Sequence, residues 1–306
     1  MTIQPRTGID IGGTKLEAAV LDADGMELAR ERVPTPEGYA AILDAVAELV
    51  ATTECAAGAK SYGVGVGAPG SLSPRDGRIR NANSVHLNGQ RLDLDLEDRI
   101  GRPVRLDNDA NCFAMAEARA GAGQGKSTVF GVILGTGVGA GIVVDHRILT
   151  GANRIGGEWG HNPLPRPNIE EVPGPDCYCG RRGCIETWCA GPSLAADHFR
   201  TTGSELDPGM IVEFAAAGEL TAQETLDRHL DRLARGLAGV VNILDPDVIV
   251  LGGGLSNLDH LYTKLPDAMR PLVFSDSFET PILRNHLGDS AGVIGAAWIC
   301  PTSEAA

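Results

Sequence analysis

Three times in this chain a short apolar run of β-prone residues stops at a cluster of glycines. Residues 7–11 run into Gly12-Gly13-Thr14, residues 129–134 into Gly135-Thr136-Gly137, and residues 248–251 into Gly252-Gly253-Gly254. Glycine lacks a Cβ, so a turn built from it lets backbone N–H groups approach an anion closely. In the first two copies a second apolar run follows, at 16–21 and at 142–144, giving strand, glycine turn, strand. Two copies of that unit suggest two related halves, each with its own phosphate-facing turn. Neither the Walker spacing nor GxGxxG opening a helix fits these turns, so a nucleotide site here must be of another type.

Strands are also expected at 27–33, 62–67 and 104–106, and helices at 39–50, 110–120 and 221–244, the last ending before Asp245-Pro246. Strands alternating with helices argue for an α/β fold. At roughly 150 residues per domain, 306 residues suggest two domains. Residues 149–189, rich in Gly, Pro and Cys, read as irregular loop.

With 43% hydrophobic and 22% charged residues the chain is neither disordered nor a disulfide-dense miniprotein. Its net charge of −14 opposes nucleic-acid phosphates and anionic lipid, which favours a small neutral or polar ligand. No secretory pattern opens the sequence, and the longest uncharged stretch, 127–144, carries five glycines and reads as strand-turn-strand rather than a membrane span. A cytoplasmic location is expected.

Three stretches could carry chemistry. Asp10 stands at a strand end just before its glycine turn and Lys15, a plausible phosphate cradle. Asp107-Asn108-Asp109 lies at a strand-to-helix junction, where two readings stand side by side: an N-cap with an Asx turn, or a carboxylate placed as general base toward a hydroxyl. His161 with Cys177, Cys179 and Cys184 can close a tetrahedral Cys3His zinc site. One residue between the first two cysteines is not the spacing of a nucleic-acid finger. With all four positions filled by side chains, the metal would be structural, fastening the loop that carries Glu158 and Glu186. Cys189 lies outside the cluster, and the other six histidines show no partner pattern.

Taken together, Asp10-Ile-Gly-Gly-Thr-Lys15, Asn108-Asp109, Gly-Glu158-x-Gly-His161, Cys177-x-Cys-Gly-x-x-Gly-Cys-x-Glu186 and Asp245-Pro-Asp-x-x-Val-x-Gly-Gly-Gly254 resemble the ROK family of sugar kinases and sugar-responsive repressors, over about residues 8–298. The resemblance implies the actin-like, ribonuclease-H-like ATPase duplication, with two α/β domains flanking an active-site cleft. These would be residues 1–115 plus a returning C-terminal helix at about 290–306, and residues 116–289 with the zinc loop. It assigns the ATP phosphates to Gly8-Ile9-Asp10-Ile11-Gly12-Gly13-Thr14-Lys15 and Gly135-Thr136-Gly137-Val138-Gly139-Ala140-Gly141-Ile142, and the adenosine to Gly252, Gly253 and Gly254. Magnesium would accompany ATP near Asp10. The sugar would meet Gly70, Ser71, Asn83, Asn108, Asp109, Glu158, His161 and Glu186, with Asp109 taking the proton from the attacking hydroxyl.

The flanks 81–89 and 158–165 and the Cys-Tyr-Cys-Gly segment look most like bacterial fructokinases, also called manno(fructo)kinases. They imply phosphorylation of D-fructose to fructose 6-phosphate, with mannose as a second substrate. N-acetylglucosamine kinase or glucokinase is the alternative within the family, and a non-catalytic sugar sensor is the alternative outside enzymes. A repressor would need a helix-turn-helix before the first glycine strand, which begins near residue 7, and the −14 charge argues the same way. The family also implies a homodimer.

Overall fold

The structure, a computed structural model, describes residues 4–82 and 84–303. In chain order its elements are β1 (Arg6–Ile11), β2 (Lys15–Leu21), β3 (Glu27–Pro34), α1 (Tyr39–Ala57), β4 (Val64–Ala68), β5 (Ser71–Leu72), β6 (Ile79–Arg80), α2 (Leu92–Ile100), β7 (Val104–Asn108) and α3 (Asp109–Ala120). Then follow β8 (Thr128–Leu134), β9 (Val138–Val144), β10 (Arg147–Ile148), α4 (Glu186–Cys189), α5 (Gly191–Thr202), α6 (Pro208–Ala216), α7 (Leu220–Leu244), β11 (Val248–Gly252), α8 (Asp259–Met269), β12 (Ile282–Arg284) and α9 (Ala291–Ile299). Two compact units emerge: Met1–Gly125 with Gly141–Gly156 and His286–Ala306, and Lys126–Ala140 with Gly157–Asn285. Among the described residues no helix is long and apolar enough to cross a membrane.

The first unit is built on a sheet of order β3-β2-β1-β4-β7. β1, β2 and β3 are antiparallel neighbours, and β4 and β7 add on in parallel to β1. On one face, Ile9, Ile11 and Leu16 pack with Ile42, Val46 and Leu49 of α1 and Leu92 and Leu96 of α2. Each such side chain removed from water contributes about 1.5–3 kcal/mol, so this layer is what fixes the strand ends that carry Asp10 and Asp109. α1 stops at Gly58, whose φ of 60° is a left-handed position that glycine adopts without strain.

On the other face α9 lies against β1 and β4, and it approaches closely because the strands carry glycine there. A Cβ at Gly8 would stand 2.2 Å from the Ala297 backbone nitrogen, and one at Gly65 would stand 1.8 Å from the Ala296 carbonyl oxygen. Gly8, Ile9 and Ile11 are thus committed to packing inside the strand. At the turn itself stand Gly12, Gly13, Thr14 and Lys15.

The second sheet has the order β10-β9-β8-β11-β12, with β11 parallel to both β8 and β12. The long α7 begins where the Glu219 carboxylate accepts from the Thr221 and Ala222 N–H groups, and it ends at Asp245 with φ 47°, just before Pro246. Its buried stripe includes Leu226, Leu230, Leu233, Leu237 and Val241, the helical period read from the sequence. Two arginines, Arg232 and Arg235, are buried on the same helix.

Those arginines explain how the 149–189 segment holds a shape without regular structure. Glu171, 5% exposed, receives Arg232 Nε at 2.8 Å and Arg235 Nη2 at 2.8 Å, and Arg232 Nη1 also reaches Asp197 at 2.7 Å. Burial opposes the ionised form of Glu171, but hydrogen bonds from Arg235 and Arg232 overcome it and hold the carboxyl down to about 2. A depressed folded pKa stabilises the fold above the unfolded value of 4.5 and stops doing so as pH falls toward 2. Glu171→Gln removes the anion that two buried arginines share but leaves Arg232 paired with Asp197 and Arg235 with Asp231, so chemical denaturation at pH 7 is expected to show a loss of about 1–3 kcal/mol. A loss below about 1 kcal/mol would mean the loop is held by something else.

Candidate active site

The first unit brings Asp10, Asp109 and their neighbours to the C-terminal ends of parallel strands, where open α/β sheets present ligands. β7 runs directly into α3, and the junction is an N-cap with an Asx turn. Asn108 caps the helix, its Oδ1 accepting from Ala110 N at 2.8 Å, while its Nδ2 donates to the Gly70 carbonyl at 3.0 Å. Asp109 is the first residue of the helix, and its Oδ1 accepts from the same Ala110 N–H at 2.8 Å. A helix N-terminus favours the anion, yet burial raises the Asp109 pKa on balance. Asp10 is pushed up to about 6, first by burial, then by Asp109 and Glu17, with Lys15 opposing. Two carboxylates that destabilise each other's charge form a donor set suited to a hard cation such as magnesium.

Two glycines that sequence reasoning missed help to bury Asp10. A Cβ at Gly292 of α9 would stand 2.9 Å from Asp10 Oδ2, and one at Gly67 of β4 would stand 3.6 Å from Oδ1. Nothing in the linear pattern marks them, because both lie far from residue 10 in sequence. Asp107 of the same stretch has a positioning contact the sequence did not reveal: its Oδ1 accepts from Asn108 N at 2.9 Å and Asn111 Nδ2 at 2.7 Å, fixing the turn before Asp109. Gly70, with φ 84°, holds a position strained for other residues, and Ser71 Oγ accepts from Arg80 Nε at 3.3 Å. Asn83 lies outside the described residues. The first hairpin closes with Gly12 N donating to the Lys15 carbonyl at 2.9 Å, which leaves Gly13 and Thr14 exposed. The Lys15 ammonium stands 3.3 Å from buried Glu17.

In the second unit the turn at Gly135-Thr136-Gly137 closes with Gly135 N donating to the Gly137 carbonyl at 3.0 Å. Glu186 Oε2 accepts from Val138 N at 2.9 Å, and a Cβ at Gly137 would stand 2.7 Å from that oxygen. One Glu186 oxygen is therefore spent on the glycine turn, a tethering role the sequence did not reveal. Gly139 offers its carbonyl to Trp159 Nε1 at 3.4 Å, and Ala140 is buried. Gly141 and Ile142 belong to the first unit, where a Cβ on Gly141 would stand 2.7 Å from the Ala110 carbonyl. Gly253, at φ 79°, lies over the Leu134 carbonyl, and Gly254 faces open space.

Glu158 is exposed at the start of a 3-10 turn, Trp159–His161. His161 Nδ1 lies 3.6 Å from Cys177 Sγ, and Cys179 Sγ lies 3.6 Å from Cys184 Sγ. All four candidate donor atoms fall within 4.8 Å of one another. A zinc tetrahedron with 2.3 Å Zn–S and 2.0–2.1 Å Zn–N bonds has edges of about 3.8 Å (S to S) and about 3.6 Å (S to N), so the residues fit the ion. With Nδ1 turned to the sulfurs, the ring proton belongs on Nε2, which donates to the Tyr178 hydroxyl at 2.9 Å. Tyr178, missed in the sequence, is held in its neutral form: burial, then Glu186 and Glu158, push it up to about 12. Cys189 is fully buried, its thiol also pushed up to about 12 by burial, and it takes no part in the cluster.

The ROK family model matches residues 6–303. The chain belongs to the ROK family. N-acetyl-D-glucosamine kinases of Yersinia enterocolitica and of Escherichia coli O127:H6 are 38% and 39% identical to it over 297 residues, covering 95% of this chain and 98% of theirs. Among solved structures, the ROK hexokinase from Thermus thermophilus is 35% identical with a TM-score of 0.87, covering 97% of this chain and 98% of that one. A ROK glucokinase from Streptomyces griseus, crystallised with glucose and AMPPNP, is 29% identical with a TM-score of 0.75, covering 97% of this chain and 99% of that one. The fold of this ROK protein is the α/β, actin-like ATPase fold with two sheet-containing domains.

Proposed function

We propose that this ROK-family, ATP-dependent sugar kinase phosphorylates a hydroxyl of N-acetyl-D-glucosamine. The observation that carries the reading is its 37–39% identity, over 297 residues, to relatives named for that activity. It replaces fructose as the favoured sugar. The fructose expectation rested on loop flanks, and the stereochemistry of a hydroxyl is set by positions of polar atoms that residue types do not fix.

Asp109 is the general base, and Asp10 with a magnesium ion holds the nucleotide's phosphates beside the Gly12–Lys15 turn. When bound, the metal neutralises charge on the phosphates, while the chain's own groups position the hydroxyl and receive its proton. Gly70, Ser71 and Asn108 of the first unit are proposed sugar contacts, and Glu158 and Glu186 are polar groups of the second unit proposed for the same ligand class, while His161 is spent on the metal and on Tyr178. The glycines 135–140 and 252–254 serve the nucleotide, and zinc on His161, Cys177, Cys179 and Cys184 is structural.

The test is kcat/KM from ADP release with Mg-ATP across N-acetylglucosamine, glucose, fructose, mannose and N-acetylmannosamine. An amide that gains one buried hydrogen-bond set is worth about tenfold or more over the same ring without it, so N-acetylglucosamine is expected to lead by at least that margin. A lead for fructose would restore the earlier expectation. Inactivity on all five, with sugar binding retained, would make the protein a sensor.

A further inference from the structure

At the other end of the first unit from Asp10 and Asp109, two arginines share one indole. Arg6, which opens β1, and Arg119, in the last turn of α3, each place the guanidinium carbon 4.9 Å from the centre of the Trp298 ring, which sits near the end of α9. Among the described residues neither arginine forms a salt bridge, and the hydrogen bond found is from Arg119 Nη2 to the His146 carbonyl at 3.5 Å. The Nε atoms of both arginines and Trp298 Nε1 are buried without an acceptor. Burial and then the charge of Arg6 lower the Arg119 pKa, the signature of two cations held together. The C-terminal ends of α3 and α9 supply about half a negative charge each, which leaves about one positive charge unmatched.

We propose that this stack is an anion site that takes a phosphate group, free or carried by a small metabolite. Guanidinium forks bind phosphate oxygens bidentately, and both residues keep part of their surface exposed to receive them. The site is separate from the candidate active site but built on the same elements. Asp10 and Arg6 are four residues apart on β1, about 13 Å along a strand. Asp109 and Arg119 are ten apart on α3, about 15 Å along a helix. α9 touches Asp10 through Gly292 and the arginines through Trp298.

The experiment is isothermal titration of the whole protein, saturated with Mg-AMPPNP, with inorganic phosphate and separately with glucose 6-phosphate. Saturable binding of either is expected, the tighter of the two identifying the free ion or the ester as the ligand form. Arg6→Gln and Arg119→Gln are each expected to weaken it tenfold to a hundredfold, the worth of one charge-assisted hydrogen-bond set, about 1.5–3 kcal/mol. Arg119→Lys, which keeps charge and stem but loses the fork, is expected to weaken it less and guards against a glutamine variant that does not fold. No saturable binding to the wild-type protein, or binding unchanged in the folded variants, overturns the site. Because the readout is binding and not turnover, this result stands apart from the choice of sugar.

Discussion

Asp109→Asn is expected to keep the fold and lose turnover by a factor on the order of 10²–10⁴, the range for removing a general base. The amide oxygen of Asn replaces Oδ1 as acceptor for the Ala110 N–H, and Asn108 still caps the helix, so α3 begins as before. What disappears is the group that takes the proton from the sugar hydroxyl under the proposed mechanism. The loss should fall on kcat, with KM for the sugar little changed, because a neutral amide of the same shape retains its hydrogen bonds to the ground state. A further signature lies in pH. Burial raises the Asp109 pKa, so in the wild-type enzyme the basic form is lost below a pH above the ordinary carboxylate value, and the acid limb of kcat/KM should appear there. Near-normal turnover by a folded Asp109→Asn protein would remove Asp109 from the chemistry and leave it as a helix-start residue.

Removing the metal is expected to have the second large effect. Purified protein should carry about one zinc per chain, and Cys184→Ser or exhaustive chelation should release it, lower the melting temperature and abolish activity together. The loop between β10 and α4 has little regular structure, and Cys184 immediately precedes Ile185 and Glu186, whose carboxylate holds the Val138 N–H. Loss of the ion frees His161, Cys177, Cys179 and Cys184 to separate, taking Glu158, Tyr178 and Glu186 with them. Structural zinc contributes on the order of 10–16 kcal/mol of apparent binding energy, comparable with the whole stability of an ordinary domain, so the loop should not persist without it. Metal-free protein that keeps both its melting temperature and its activity would show that the loop is held by Glu171 and its arginines alone.

Several features were legible before any coordinates because they are local. Glycine turns after apolar runs identified the hairpin of β1 and β2 and the turn between β8 and β9, since the missing Cβ and the alternation of burial leave direct marks in the residue order. The leucine stripe of α7 and its stop before Pro246 were visible for the same reason, as was the set of one histidine and three cysteines. The junction at Asn108 and Asp109 was visible as a helix start, and the structure caps it with Asn108.

What only the tertiary structure decided depends on chain segments that meet from far apart. That Gly8 serves the close approach of α9 follows from residues nearly 300 positions away, and no spacing rule carries that distance. The burial of Asp10 by Gly67 and Gly292, the tether from Glu186 to Val138, the contact of Tyr178 with His161 and the meeting of Arg6 and Arg119 at Trp298 are of the same kind. The sequence determined which residues could turn, cap, ligate a metal or carry charge, because those capacities belong to individual side chains and their immediate neighbours. Packing decided which of them were buried, paired or left without a counter-charge, because desolvation and Coulomb energies depend on neighbours brought together only by folding.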